Sequence, residues 1–529
     1  MAEETKALKE KRPAVNEVEV QKELPYRMMA SAAFILVMIV FGLPLWWNTT
    51  KVHRASLPHA RMLDLSSRQL RIPVLIRIAY PPAIDEKWVT TVAEVLYGDL
   101  QDLQVHEKLK LDFVVDNVPI PSAAIAFLGS TESLALDFVL TPESDWGRPG
   151  ELYFGAQRVT LVRHSVDTEK VAKLIQTAIV DVVLDVDQLK TVVRRDLKQR
   201  ETGWELATMT VREQQRRVWD SAALAPRHRV ELLFVYPDPT QCDAQPSRLT
   251  ALLKPFADRL APVTELTLQS ENLFYVDLPP WQRRDEILQT DVLDADKLPL
   301  IVNPMERYLT TVESTAPVFH LLVYYSPRPL TIVDEEGDAV PGNAFAVASW
   351  GGLAIVNNCS ADDSQLAAVL IDQLRVLLGL GSDLPPRSSK GSAPLAGWEL
   401  NRLASRSLVD SALRAATTLR ALDKLLGEIQ NIVIGEQIAG RIEAAVDALE
   451  QAFQLMKDEQ FWPAVALAKK AAELADEAFF DPSLLALLYF PDDQKYAIYI
   501  PLFLPVGVPV VLSLRAVVTY YFKRKQKRD

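Results

Sequence analysis

Between residues 71 and 380 the chain alternates short apolar runs with stretches of helical periodicity, and this alternation narrows its possible folds more than any other feature. RIPVLIRIAY, Arg71 to Tyr80, puts Ile72, Val74, Ile76 and Ile78 on one side of an extended backbone, as a half-buried strand requires. AAIAFLG (123–129), LALDFVL (134–140), RVTLVR (158–163), VELLFVY (230–236), ENLFYVDL (271–278), FHLLVYY (319–325) and LAIVNN (353–358) are further strand-like runs. Apolar residues recur at i, i+3 and i+4 over Thr168 to Leu184, Pro246 to Leu260 and Ser364 to Leu380, which predicts helices between the strands. The expectation is a mixed α/β domain over 48–395.

The pattern changes after GSDLPPRSSKGSAP (381–394), a loop-like composition. No strand signal follows it. Leu419, Leu422, Leu426, Ile429 and Val433 repeat at three and four residues, and an Ala-rich helical pattern runs from Ile442 to Phe479 with Gly440 and Pro463 as punctuation. This predicts a segment of long helices over 396–495. It has no 34-residue self-similarity of the kind that marks a repeat module.

Two segments near the ends lack charge. MMASAAFILVMIVFGLPLWW (28–47) would reach ~30 Å as a helix, the thickness of a hydrocarbon core, and ends in the interface-favouring Trp46 and Trp47. A signal peptide is the competing reading, with Arg27 as its basic flank, but no small-x-small cleavage site follows. The second segment is YAIYIPLFLPVGVPVVLSL (496–514), followed by a tail containing Lys523, Arg524, Lys525, Lys527 and Arg528. The expected layout is a cytosolic tail (1–27), a transmembrane helix (28–47), the α/β domain and helical segment on the lumenal side, a Pro-rich transmembrane helix (496–514) and a basic cytosolic tail (515–529).

With 529 residues and a net charge of −12, the chain has no electrostatic footprint for nucleic acid outside that tail. The two cysteines, Cys242 and Cys359, form no CxxC pair, which excludes zinc-ribbon and thioredoxin-type chemistry and leaves one disulfide open. No G-x-S-x-G elbow, H-E-x-x-H, Walker loop or post-strand G-x-G-x-x-G is present, so no catalytic, cofactor-binding or metal residue is assigned. His320 stands in a strand-like run and reads as a core or edge histidine rather than a base for Cys359.

The remaining candidate positions are not catalytic. Asn358-Cys359-Ser360 is a sequon that makes Asn358 a glycosylation candidate. Asp492 and Asp493, in Phe490-Pro491-Asp492-Asp493, read as helix caps. Pro501, Pro505 and Pro509 each remove a helix donor at four-residue spacing, and Gly507 between them permits close approach, so this stripe is a candidate for packing against other subunits.

GLPLWWNTTKVHRASLP (42–58), VNPMER (302–307), NAF (343–345) with SWGG (349–352), the run from WEL (398–400) to NIVI (431–434), and AFFDPSLLALLYFPDDQKYAIYIPLFLP (478–505) resemble the PIG-S family of GPI transamidase subunits. Residues 81 to 230 carry few such matches. The resemblance implies an endoplasmic-reticulum membrane protein with both termini cytosolic. It also implies membership in a complex that attaches GPI anchors to proproteins, with the chemistry in a caspase-like partner subunit. Under that reading the chain is a non-catalytic accessory subunit without a cofactor. Its partners are the other subunits, with proprotein and GPI lipid as further candidates. A membrane-tethered receptor for proprotein peptides and an independent lumenal enzyme are the alternatives.

Overall fold

A computed structural model describes residues 17–42, 44–45, 54–120, 133–141, 152–155, 159–163, 167–196, 224–240, 246–278, 283–284, 290–294, 316–334, 337–347, 350–357, 362–380, 395–428, 434–485, 501, 504–505, 507–515 and 518–522. These residues fall into two compact units. The smaller comprises 1–56, 426–436 and 481–529, and the larger 57–425 and 437–480.

The larger unit is built on two five-stranded sheets. The first contains β1 (Leu70–Tyr80), β2 (Leu109–Pro119), β3 (Leu134–Thr141), β4 (Leu152–Phe154) and β5 (Val159–Arg163), in the order β2-β1-β3-β5-β4. Its strands are parallel except for the edge strand β4. The face of β1 carrying Ile72, Val74, Ile76 and Ile78 is fully buried, because the period-two pattern places every apolar side chain there. Helices α3 (Glu86–Gln101) and α4 (Thr168–Thr177) pack together beside this sheet, following α2 (His59–Ser67) in the chain. Asp85 and Asp167 cap α3 and α4, accepting backbone N–H bonds from Lys87 and Lys170. The hydrogen bonding of α4 widens into a π-helical turn, Ala178–Val183, and α5 (Val186–Asp196) follows.

The second sheet repeats the first. Here β6 (Arg227–Tyr236), β7 (Glu265–Phe274), β10 (Val318–Tyr325), β12 (Ala344–Val347) and β13 (Gly351–Val356) lie in the order β7-β6-β10-β13-β12, again parallel except for the fourth strand of the set, which is antiparallel at the edge. Helices α6 (Pro246–Leu260) and α7 (Asp363–Leu377) stand where α3 and α4 stand, and Asp362 caps α7 as Asp167 caps α4. The hydrogen bonding matches in detail: Ile120 N–H donates to the Tyr80 carbonyl at 2.9 Å, and Tyr275 N–H donates to the Tyr236 carbonyl at 2.8 Å. Each module also leaves the second of these helices through a left-handed residue, Asp185 (φ 47°) after the π-helical turn in the first and Gly379 (φ 88°) in the second.

Among the described residues, a small sheet of β8 (Arg283–Arg284), β9 (Asp291–Asp294) and β11 (Leu330–Val333), drawn from the segments on either side of β10, accompanies the second module alone. Leu293, Leu330 and Ile332 from it pack on Leu233, Val235, Leu322, Tyr324, Leu353 and Ile355. The first module has the ion pair Arg77–Asp137, 2.5 Å, on the register-equivalent pair of strands.

Three long helices follow: α8 (Gly397–Glu428), α9 (Glu436–Lys457) and α10 (Phe461–Phe479), then the short α11 (Pro482–Leu485). On α10, Ala464, Ala468, Ala471, Ala472, Ala475 and Ala478 are all buried, so small side chains set close packing along that face. Helix α2 is tied to this bundle by Arg61, which reaches Asp447 at 2.5 Å and Glu450 at 2.8 Å, and by His59 to Asp423 at 2.5 Å.

The smaller unit corrects the sequence reading of the chain ends. Among the described residues no helix is long and apolar enough to cross a membrane. Helix α1 (Glu17–Val37) opens on the polar sequence EVEVQKELPYR, and at Met38 it changes to a π-helical turn, Met38–Gly42. Only 28–37 is both apolar and α-helical, about 15 Å of rise, half of what a hydrocarbon core requires. Toward the C-terminus the longest described helical stretch is 507–515, about 13 Å. The expected transmembrane helices over 28–47 and 496–514 are therefore not met. The multi-pass topology and the membrane localisation with cytosolic termini rested on them and fall with them.

Candidate functional site

The most unusual chemistry of the larger unit lies on the first half of α8. Every residue from Leu395 to Ala412 is buried, including Glu399, Asn401, Arg402, Ser405, Arg406, Ser407, Asp410 and Ser411. A helix buried on all sides is ordinarily apolar all round, and burying this much polarity is tolerated only where each group meets a partner.

Most of these groups find partners, and the partners come from both modules. In the first, Asn401 Nδ2 donates to the Ala135 carbonyl at 3.3 Å, and Arg402 donates to the Val182 carbonyl at 3.1 Å while pairing with Asp185. In the second, Arg406 donates to the Leu378 carbonyl at 3.3 Å, Ser407 to the Val263 carbonyl at 3.4 Å, and Glu399 pairs with Arg375. Asp410 accepts the Leu224 N–H at 2.7 Å. Arg402 and Arg406, one helical turn apart, thus grip equivalent helix ends in the two modules. Gln188 joins the modules directly through the Gly379 carbonyl at 3.3 Å.

Gly379 is required where it stands. A Cβ there would lie 2.0 Å from Arg406 Nη1, and its φ of +88° disfavours any other residue. His228, buried and stacked on Phe319 at 4.8 Å, bonds Thr264 Oγ1 at 2.9 Å. Burial, with the Arg406 guanidinium nearby, holds its imidazole down to about 4. It is a neutral structural group at physiological pH.

A second polar cluster lies on the second sheet. Glu231 forms an ion pair with Arg229 at 2.9 Å and meets His320 Nδ1 at 3.1 Å, with Trp350 tilted against the His320 ring at 5.5 Å. At the carboxyl ends of the strands, Tyr236 stacks between Tyr325 (4.7 Å) and Phe274 (5.5 Å), and burial pushes the Tyr325 phenol up to about 12.

Among the described residues no group of three or more His, Cys, Asp or Glu could hold a metal ion. Asn358, Asp492, Asp493, Cys242 and Cys359 lie outside the described residues. Pro501, Pro505 and Pro509 are helical and exposed, and no described atom lies within 4 Å of where a Cβ of Gly507 would stand. Sequence reasoning did not single out Arg402, Arg406 or Asp185. The available signal was the run WELNRLASRSLVD, in which charged residues interrupt the apolar stripe at one-turn spacing.

The profile of the family described as "PIG-S: Phosphatidylinositol-glycan biosynthesis class S protein" matches residues 33–524. The chain belongs to the PIG-S family. This PIG-S chain is 30% identical over 528 residues to the human "GPI-anchor transamidase component PIGS", covering 92% of this chain and 94% of the relative. The bovine protein of the same name is 30% identical over 532 residues, with the same coverage. A fission-yeast "GPI transamidase component PIG-S homolog", from Schizosaccharomyces pombe, is 25% identical over 499 residues, covering 90% of this chain and 81% of the relative.

The structure gives physical reasons for two of the stretches that resemble PIG-S. In SWGG, a Cβ at Gly351 would lie 1.8 Å from the His320 carbonyl oxygen, and one at Gly352 would lie 2.5 Å from the Gln373 side chain. That glutamine donates to the Phe345 and Leu353 carbonyls at 3.1 and 2.9 Å, fastening α7 to the edge of the sheet. WEL opens α8, where Glu399 accepts the Ala396 N–H at 2.7 Å and closes the first turn.

Proposed function

We propose that this chain is a non-catalytic accessory subunit of a GPI transamidase, holding neighbouring subunits while a partner carries out the chemistry. The observation that supports this most is end-to-end similarity to proteins named as components of that enzyme, over about nine-tenths of each mammalian relative. The use of buried charge supports it too. Glu399, Arg402 and Asp410 each direct their charge at a side chain or backbone group of a neighbouring element, which suits a rigid frame rather than a reacting centre.

The test is complementation. In cells whose corresponding subunit has been inactivated, expression of this chain should restore surface display of a GPI-anchored reporter. The chain should also co-purify with the cysteine-bearing subunit, and the purified chain alone should cleave no reporter. Cleavage or anchor transfer by the isolated chain overturns the proposal, as does failure to restore display from a stably expressed chain.

A further inference from the structure

Four strands form the outer edges of the two sheets, and three of them are blunted. β4 and β12 are three and four residues long. β2 carries Lys110 and ends in Pro119, and short strands, lysines and prolines are the usual means of protecting an edge. β7, ELTLQSENLF, is ten residues long with neither Lys nor Pro.

The direction of its hydrogen bonds follows from the contacts at its two ends. Glu265 N–H donates to the Pro226 carbonyl and Tyr275 N–H to the Tyr236 carbonyl, at 3.0 and 2.8 Å. In a parallel ladder a residue's N–H and C=O point the same way, so the odd-numbered residues face β6. Leu266, Leu268, Ser270, Asn272 and Phe274 then direct theirs outward.

This edge is exposed and paired along its whole inner side. Gln269, Ser270, Glu271 and Asn272 are exposed on both faces of the strand, yet the register with β6 continues unbroken to Tyr236↔Phe274. Phe274 is 52% exposed and braced by its stack on Tyr236, and Tyr275 beyond it is 80% exposed. The side-chain faces differ in chemistry: Glu271 and Glu265, which Arg227 meets at 3.6 Å, stand on one, and Leu268 and Phe274 on the other.

We infer that the outer edge of β7 receives an extended polypeptide segment of a partner by strand addition, with Lys or Arg on one face of that segment and aromatic or β-branched residues on the other. Outward N–H and C=O groups supply the ladder, the two glutamates complement the basic face, and Leu268 and Phe274 receive the apolar one. The inference stands independently of membership in any complex.

The probe is a fluorescent decapeptide alternating Lys with Val and Tyr, titrated into the full-length chain at 150 mM salt. Ser270→Pro deletes an outward N–H without touching the β6 ladder and should weaken binding at least tenfold, whereas Val115→Pro on β2 should leave it within twofold. Hydrogen exchange supplies a second readout on the unaltered chain: bound peptide should slow the amides of Leu268, Ser270 and Asn272, and this decides the matter if Ser270→Pro fails to fold. Absence of binding, equal binding by Ser270→Pro, or unchanged exchange overturns the inference. So does self-association of the chain abolished by Ser270→Pro, which would make a second copy the occupant.

Discussion

Replacing Arg402 with Met tests whether the two modules are held by the charged groups of α8. The guanidinium is 5% exposed and its partner Asp185 17% exposed, so the pair is nearly dry. Removing one member of a buried pair costs about 3–5 kcal/mol. Here Asp185 still accepts the Gln188 N–H at 3.0 Å and Met keeps the stem's packing, which places the loss near the lower figure, about 3 kcal/mol. Asp185→Gly removes the other member but also gives the φ of +47° to a residue that adopts it freely, returning about 1 kcal/mol and leaving a net loss of about 2. The double variant buries no unpaired charge. It should lose about 2 kcal/mol rather than the roughly 5 of the summed singles, a coupling of about 3 kcal/mol. The assay is urea unfolding of the full chain, followed through the transition of the larger unit by tryptophan fluorescence. Losses that add to within about 0.5 kcal/mol would show that Arg402 and Asp185 are neighbours without being partners.

Gly379→Ala should destabilise the larger unit by more than about 2 kcal/mol, because Cβ meets the Arg406 guanidinium at an unfavourable φ, whereas Gly427→Ala, with nothing within 4 Å, should be neutral or stabilise by up to about 1; paired thermal melts check both. His228 binds its proton about 2.5 pH units less readily in the folded chain than in the unfolded one, so its contribution is complete above pH 6.5 and is lost as pH falls from 6.5 to 4. The loss should approach about 3 kcal/mol and be absent in His228→Phe, as measured by urea midpoints across that range.

Much of the α/β core was legible because it depends on local periodicity. The runs at 71–80, 134–140, 158–163, 230–236, 319–325 and 353–358 coincide with β1, β3, β5, β6, β10 and β13 to within a few residues, and Pro246–Leu260 is a helix with the same ends. ENLFYVDL misled: its apolar residues straddle the end of β7, which is an exposed edge and draws its regularity from pairing with β6 instead of from burial. β2 and α3 went unread between them. The alternation in LKLDFVVDNVP is spoiled where its second half leaves the core, and α3 lies in the stretch that carried few family matches.

The apolar ends misled for a related reason. Hydropathy reports what a segment contains and not where a helix begins or changes its hydrogen bonding, so the polar start of α1 and the turn at Met38 were invisible to it. The duplication was hidden as well. Tyr80 and Tyr236, each followed by proline, are among the scattered residues the modules share at matching positions, with Arg71 and Arg227, Val74 and Val230, and the caps Asp167 and Asp362, and such isolated matches make no visible repeat because a sheet order can be kept by any apolar set that fills the same volume. The first-module half of the α8 clamp depends on groups more than two hundred residues apart, Arg402 with Asp185 and Asn401 with Ala135, and no short-range pattern encodes such a meeting.

The position of α8 in the chain also orders the molecule's birth. A ribosome releases both modules before it has made the helix buried against them, so until Arg402 and Arg406 emerge they meet without its contacts, Gln188 with the Gly379 carbonyl being one that needs none of it. A message cut short before residue 397 therefore yields modules lacking their buried helix, and quality control should recognise them as such.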